Sequence, residues 1–372
     1  MLWITKCYGA KSNQLSSAPN ALQNNLPDLM PRYAILVEGH FNIYAKTCNS
    51  VLRYKPEEAV CCVDSENMGK TTNDVMKIGG DTPIVNNINN ALQYNPDSLL
   101  IGVATPGGYL PENMRKIVLS AIEKGLNIVC GLHEFLSNDL EISGLAKKHG
   151  VIITDLRKPP VPLSFTKGSW KNRNTPVLLT IGTDCDSGKM TAAWEIKNKL
   201  QKKGIKPAFV GTGQTGILLG EAGVAVDAVI SDFVAGAIEA EIDKVADSCD
   251  IVIVEGQGSL THAAYSGVTL GLLHGSMPDM LVMCHEPARK FDTFDYPMQP
   301  MNNNLQLNTD LMKPFKATIC VGACLITISE NDASAKETIM NYNHDYDFPA
   351  DDIVRFGGGS IISNIIDSLD SI

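Results

Sequence analysis

The chain has 372 residues, with 31 Lys or Arg against 41 Asp or Glu, a formal net charge of −10. That length suits two or three domains with ample core, and 44 % apolar with 19 % charged residues excludes wholesale disorder. The acidic balance argues against a general affinity for nucleic acid, and no apolar run reaches the length of a membrane span. Residues 1–30 are rich in Ser, Asn, Gln, Leu and Pro, with no acid before Asp28, and read as a loosely ordered extension. From Tyr33 the rhythm becomes strand, loop, helix. Strands are expected over 33–38, 58–64, 97–104, 126–130 and 150–155, with helices over 113–124 and on through Lys148. Continuous apolar strands alternating with amphipathic helices mean a parallel sheet covered on both faces. Ligands to such sheets sit beyond the C-terminal ends of the strands, which places Gly39, Asp64, Gly107 and Gly131 along one rim. A lysine loop at 64–72 with Gly69, Lys70 and Thr71 reads as a surface turn. This half, 31–165, is expected to be Rossmann-like, yet it lacks a full Gly-x-Gly-x-x-Gly fingerprint, so no NAD site is expected.

Residues 156–175 carry Pro159, Pro160, Pro162 and Gly168 and read as a linker. A second α/β unit, 170–372, opens with the strongest signal in the chain. A buried strand at 177–181 runs into Gly182, Thr183, Asp184, Cys185, Asp186, Ser187, Gly188 and Lys189, and Met190 and Thr191 open a helix. A strand, a glycine-bearing loop and a helix N-terminus make a phosphate-binding loop. Its backbone N–H groups wrap an anion, the helix end adds positive charge and Lys189 supplies a point charge. Thr183 stands where the common pattern has Gly, and Met190 stands where it has a Mg²⁺-holding hydroxyl. The form Gly-Thr-Asp-x-x-x-Gly-Lys resembles the dethiobiotin synthetase and cobyrinic acid amidase branch of such proteins.

Further loops follow strands on the same rim. Strand 207–210 leads into a polar glycine loop containing Gly213, Gln214 and Thr215. The segment 232–245 has helical spacing, with Asp232 expected to cap it. Strand 250–255 ends in Glu255 and runs into Gly256, Gln257, Gly258, Ser259 and His262. An acid in that place suits Mg²⁺ binding or proton transfer. Strand 280–283 leads to His285 and Arg289, types that suit a carboxylate ligand. Residues 292–309 read as a long loop, expected to act as a lid or subunit contact in a homo-oligomer. Strand 317–328 and helix 361–369 close the unit. The ten cysteines are scattered, several within apolar runs, as expected of free thiols in a reducing cytoplasm.

Taken jointly, 101–108, 131–136, 182–189, 211–216, 232–236, 255–259, 265–275 and 285–287 resemble the DgcN-type D-glutamate N-acetyltransferase family, long known as a P-loop domain of unknown function. The resemblance covers about 33 to the end. It implies a Rossmann-like N-terminal domain, a P-loop NTPase-like C-terminal domain and acetyl transfer from acetyl-CoA to the amine of D-glutamate. On that implication the phosphate loop, with Gly213, Gln214 and Thr215, holds CoA phosphates. Glu255 or His262 is the candidate base, N–H groups near Gly256 face an oxyanion, and Gln257, Ser259, His285 and Arg289 are candidates to hold the amino acid. The alternative is an ATP-dependent ligase in which Asp184 and Glu255 hold Mg²⁺. A third reading is a nucleotide-responsive binding protein without turnover.

Overall fold

The computed structural model describes residues 30–41 and 44–371. The expected N-terminal extension falls almost wholly outside the described residues. Two parallel sheets are built in succession. In the first half the strands are β1 (Tyr33–Leu36), β2 (Ala59–Val63), β3 (Ile84–Val85), β4 (Ser98–Ile101), β5 (Asn127–Cys130) and β6 (Ile153–Asp155). The helices between them are α1 (Lys46–Tyr54), α2 (Thr72–Met76), α3 (Ile88–Ala91), α4 (Glu112–Glu123) and α5 (Leu140–His149). The sheet order is β3-β2-β1-β4-β5-β6, and its strand pairs run parallel. This is the doubly wound Rossmann-like order, with a reversal between β1 and β4. Its strands are short and apolar because helices bury both faces, and Leu36, Leu99, Leu100 and Ile128 are completely covered.

The lysine loop at 64–72 ends as a helix start. Thr71 accepts from Asp74 N while its own N–H reaches the Asp74 carboxylate, a reciprocal cap for α2. Asp139 caps α5 one way, accepting from Ile142 N, and Gly150 ends that helix in the left-handed region.

The second half contains β7 (Val177–Gly182), β8 (Pro207–Gly211), β9 (Ala222–Gly223), β10 (Ile251–Val254), β11 (Met280–His285), β12 (Ile319–Leu325) and β13 (Ala350–Asp351). Its helices are α6 (Lys189–Lys202), α7 (Gln214–Leu219), α8 (Val234–Val245), α9 (Ser266–Ser276), α10 (Met301–Met312), α11 (Asp332–Asp345) and α12 (Gly359–Leu369). The order is β13-β12-β11-β7-β10-β8-β9, so the strand that feeds the phosphate loop is central. The linker lies over α8: Glu239 accepts from the N–H groups of Lys167 and Ser169.

Two expectations are corrected. Residues 292–309 are not one long loop, because α10 begins at Met301. Its buried stripe includes Asn304 and Asn308, which bond to Ser259, Thr261 and each other, so a polar sequence conceals an inward face. Asp232 does not cap α8. A short 3-10 turn, Ser231–Phe233, precedes that helix, and its N-terminus has no side-chain cap.

Candidate active site between the two domains

The phosphate loop is positioned by β7 and α6. Gly188 takes φ +81° immediately before α6, a turn that a side-chain-bearing residue rarely adopts. Lys189 is buried, and its Nζ donates to the Asp184 carbonyl at 2.5 Å and to Ser187 Oγ at 3.1 Å. Burial pushes its ammonium below the usual lysine value, against nearby thiols and acids that hold it up. A phosphate entering the loop exchanges that neutral carbonyl for an anionic oxygen, the stronger kind of hydrogen bond.

A cavity of about 510 Å³ opens beside this loop. Its walls include Cys185, Asp186, Gly188, Lys189, Met190 and Thr191 from the phosphate loop and α6. Gly213, Gln214 and Thr215 come from the start of α7, and Glu255, Gly256, Gln257 and Gly258 from the end of β10. The facing wall belongs to the other domain: Lys46, Asn49, Ser50, Arg53 and Tyr54 of α1, and Arg157 just beyond β6. The two domains are locked together here. Lys46 Nζ meets Asp186 Oδ1 at 2.8 Å, and Arg157 bonds to Asp227, Gln214 and the Gly131 carbonyl. Ile217 and Leu218 of α7 pack on the core of the first domain.

Glu255 is the chemically distinctive group. It is 4 % exposed, and burial raises its carboxyl from the ordinary value to about 7. The N–H groups of Thr212 (2.8 Å) and Gly213 (3.2 Å) donate to Oε2, and these bonds with Lys189 oppose the rise. The carboxylate is therefore held by donors yet shielded from water, so it takes and releases a proton near neutrality. Gly216 makes this possible: a Cβ there would lie 2.0 Å from Glu255 Oε2.

Several expected site residues serve the loop rather than the cavity. Arg289 donates to Glu286 at 2.8 Å, to Asp184 Oδ2 at 3.2 Å and to the Cys185 carbonyl at 2.9 Å. It clamps the phosphate loop and is committed within the protein, not offered to a substrate carboxylate. His285 bonds to Thr183 Oγ1 at 2.9 Å, and burial lowers its imidazole to about 4, so it is a neutral support. Ser259 is completely buried and bonded to Asn304. His262 is also buried. Its Nδ1 accepts from Ala264 N at 3.2 Å and its Nε2 lies 3.0 Å from Thr293 Oγ1, so the lone pair a base needs is occupied. None of Arg289, His285, Ser259 and His262 lines the cavity. Gly256 N–H is taken by Thr180 Oγ1 at 3.0 Å. Cys185 does line the cavity, but burial pushes its thiol up to about 11 and keeps it protonated at neutral pH.

For a metal, Asp184 is a poor first ligand. Its Oδ2 accepts from Arg289 and from Thr293 N (3.0 Å), and its Oδ1 accepts from Cys185 N (2.6 Å). Among the described residues, the ligand atoms that converge within 4.8 Å are those of Asp184, Cys185 and His262, without Glu255. Sequence reasoning missed α1 and Arg157. The only signal for α1 was the spacing of buried Cys48, Val51 and Leu52, which leaves Lys46, Asn49, Ser50 and Arg53 together on the other face.

Fold and site together define a two-domain α/β protein whose phosphate loop faces a helix of a Rossmann-like partner domain. Family comparison agrees in both halves. Residues 164–362 match the P-loop domain of unknown function DUF1611_C, and residues 65–159 match the Rossmann-like domain DUF1611_N. The chain belongs to this DUF1611 family. It is 36 % identical over 278 residues to a D-glutamate N-acetyltransferase of Pseudoalteromonas sp, spanning 74 % of this chain and 83 % of that protein. It is 42 % identical over 193 residues to a D-glutamate N-acetyltransferase of Tritonibacter scottomollicae, spanning 52 % and 57 %. A crystal structure of a DUF1611 family protein from Anabaena variabilis superposes with a TM-score of 0.84 at 32 % identity, covering 91 % of this chain and 99 % of that one.

Proposed function

We propose that the protein transfers the acetyl group of acetyl-CoA to the amino group of D-glutamate, with Glu255 as general base and the phosphate loop holding phosphates of CoA. The observation that carries this reading is a buried carboxyl with a value of about 7 in the same cavity as the phosphate loop. The names of the two relatives, both D-glutamate N-acetyltransferases, support D-glutamate as the acetyl acceptor. Met190, in place of a metal-binding hydroxyl, suits phosphates taken without Mg²⁺. The substrate ammonium first sheds one proton to solvent. The neutral amine then attacks the thioester carbonyl. Glu255 takes the remaining surplus N–H proton and returns it to the thiolate as the C–S bond breaks, so amide and free CoA form together.

The test is free-thiol release from acetyl-CoA with D- and L-amino acids, with and without Mg-ATP. Release that requires D-glutamate and not ATP is expected. Phosphate release from ATP that requires the amino acid would instead make the chain a ligase. Lys189→Ala should raise the acetyl-CoA KM roughly 10–150-fold, the worth of one hydrogen bond to a charged group.

A further inference from the structure

The rim of the first domain offers little to a ligand. Glu38 is spent on Ser65, Asp64 on Gly39 N (2.9 Å) and Asn67, Glu134 on Leu110 N (2.8 Å), and Asp155 on Leu136 N and Ser137 N. The functional face of this domain is elsewhere, on α1. Lys46, Asn49, Ser50 and Arg53 follow i, i+3, i+4, i+7 spacing and line the shared cavity.

Two features of that face point to a ligand. Asn49, at the cavity wall, has a buried Oδ1 with no hydrogen-bond partner in the protein, an acceptor left open beside the cavity. Arg53 is exposed at the cavity wall and makes no ion pair among the described residues. Lys46 sits against the phosphate loop through Asp186. Seven residues of helix separate it from Arg53, a rise of roughly 10 Å. The face therefore offers a second anion-binding position one and a half to two turns from the phosphate loop. The two carboxylates of glutamate lie too close together to span that gap. The diphosphate and the 3′-phosphate of CoA are set farther apart across the ribose, whose 2′-hydroxyl, with the amino group of the adenine branching from it, supplies the donors that Asn49 lacks.

We infer that α1 is the nucleotide-recognition wall of the site, with Arg53 reading the 3′-phosphate of CoA. This rests on the acetyl-CoA reading above. The experiment compares acetyl-CoA with acetyl-3′-dephospho-CoA as donors to D-glutamate, in the unchanged protein and in Arg53→Gln. The unchanged protein should prefer acetyl-CoA by roughly 10-fold or more in kcat/KM, and Arg53→Gln should abolish most of that preference. Equal use of both donors by the unchanged protein overturns the inference and leaves the acetyltransferase reading standing. Turnover of neither donor overturns that reading itself. A preference retained by Arg53→Gln also overturns the inference, as does a rise confined to the D-glutamate KM, which would assign Arg53 to a substrate carboxylate. Because Arg53 is exposed, its replacement leaves the fold in place, and a thermal melt of the variant checks this.

Discussion

Glu255 combines two demands that normally conflict: it must be buried enough to hold a proton near neutrality and bonded enough to be oriented. Burial dominates, so its carboxyl rises to about 7 while two backbone N–H groups fix one oxygen. If it is the base, Glu255 adds to the kcat/KM profile one ionisation near pH 7, distinct from that of the substrate amine, below which the rate falls further. Glu255→Gln should lower the rate about 10²–10⁴-fold and remove that limb of the profile. The same residue predicts a stability signature. Between the ordinary carboxyl value and about 7 the native state binds the extra proton, so stability falls as pH rises through that window. The full effect is about 3 kcal/mol, and Glu255→Gln should flatten it in urea titrations taken across that range. A steeper dependence in the variant would mean that another group sets the slope. Arg289 makes the contrasting case. Its type and place suited substrate binding, but which partner an arginine chooses depends on loop geometry that sequence spacing does not encode. Arg289→Gln should therefore weaken acetyl-CoA binding through a loosened phosphate loop more than it weakens D-glutamate binding. A KM increase for the amino acid alone would contradict this.

At the scale of elements, the parallel strands were legible because a strand buried on both faces is continuously apolar, as in 177–181 and 251–254. The phosphate loop was legible because its geometry demands glycine and lysine at fixed places between a strand and a helix. Helix α10 was not legible, since its inward Asn304 donates to two hydroxyls and accepts from Asn308, and sequence periodicity scores both asparagines as exposed. The contribution of α1 was hidden for a different reason. Its short apolar stripe was not read as a helix, and nothing local says what stands opposite its polar face. Gly216, within α7, gives an element-scale prediction. Gly216→Ala would press a methyl group onto the Glu255 carboxylate, where the separation is 2.0 Å. Activity should drop at least 10-fold while the melting temperature falls by only a few degrees, because the short helix α7 shifts and not either sheet. Near-normal activity would show that this carboxylate needs no such close seat.

At the scale of the whole molecule, neither sheet carries the site alone. The first domain brings cations and amides on α1, the second brings the phosphate loop and Glu255, and Arg157 with Asp227 bolts the two together. Asp227→Asn should cost up to about 1 kcal/mol in urea unfolding, because the Asp227 side chain is a third exposed and water screens its pair with Arg157. An unchanged midpoint would mean that the apolar contact of α7 suffices to hold the domains.

A cavity whose opposing walls belong to different bodies makes its occupant a structural member. A molecule bound there would bridge the domains, so separating them would mean releasing it first, and mass action would set how tightly the halves hold. At a hundredfold excess over its dissociation constant an occupant adds about 2.7 kcal/mol to stability. If acetyl-CoA is that occupant, the protein would report its supply through resistance to unfolding and proteolysis. A cell starved of that molecule would hold less of the enzyme, with no regulatory site needed.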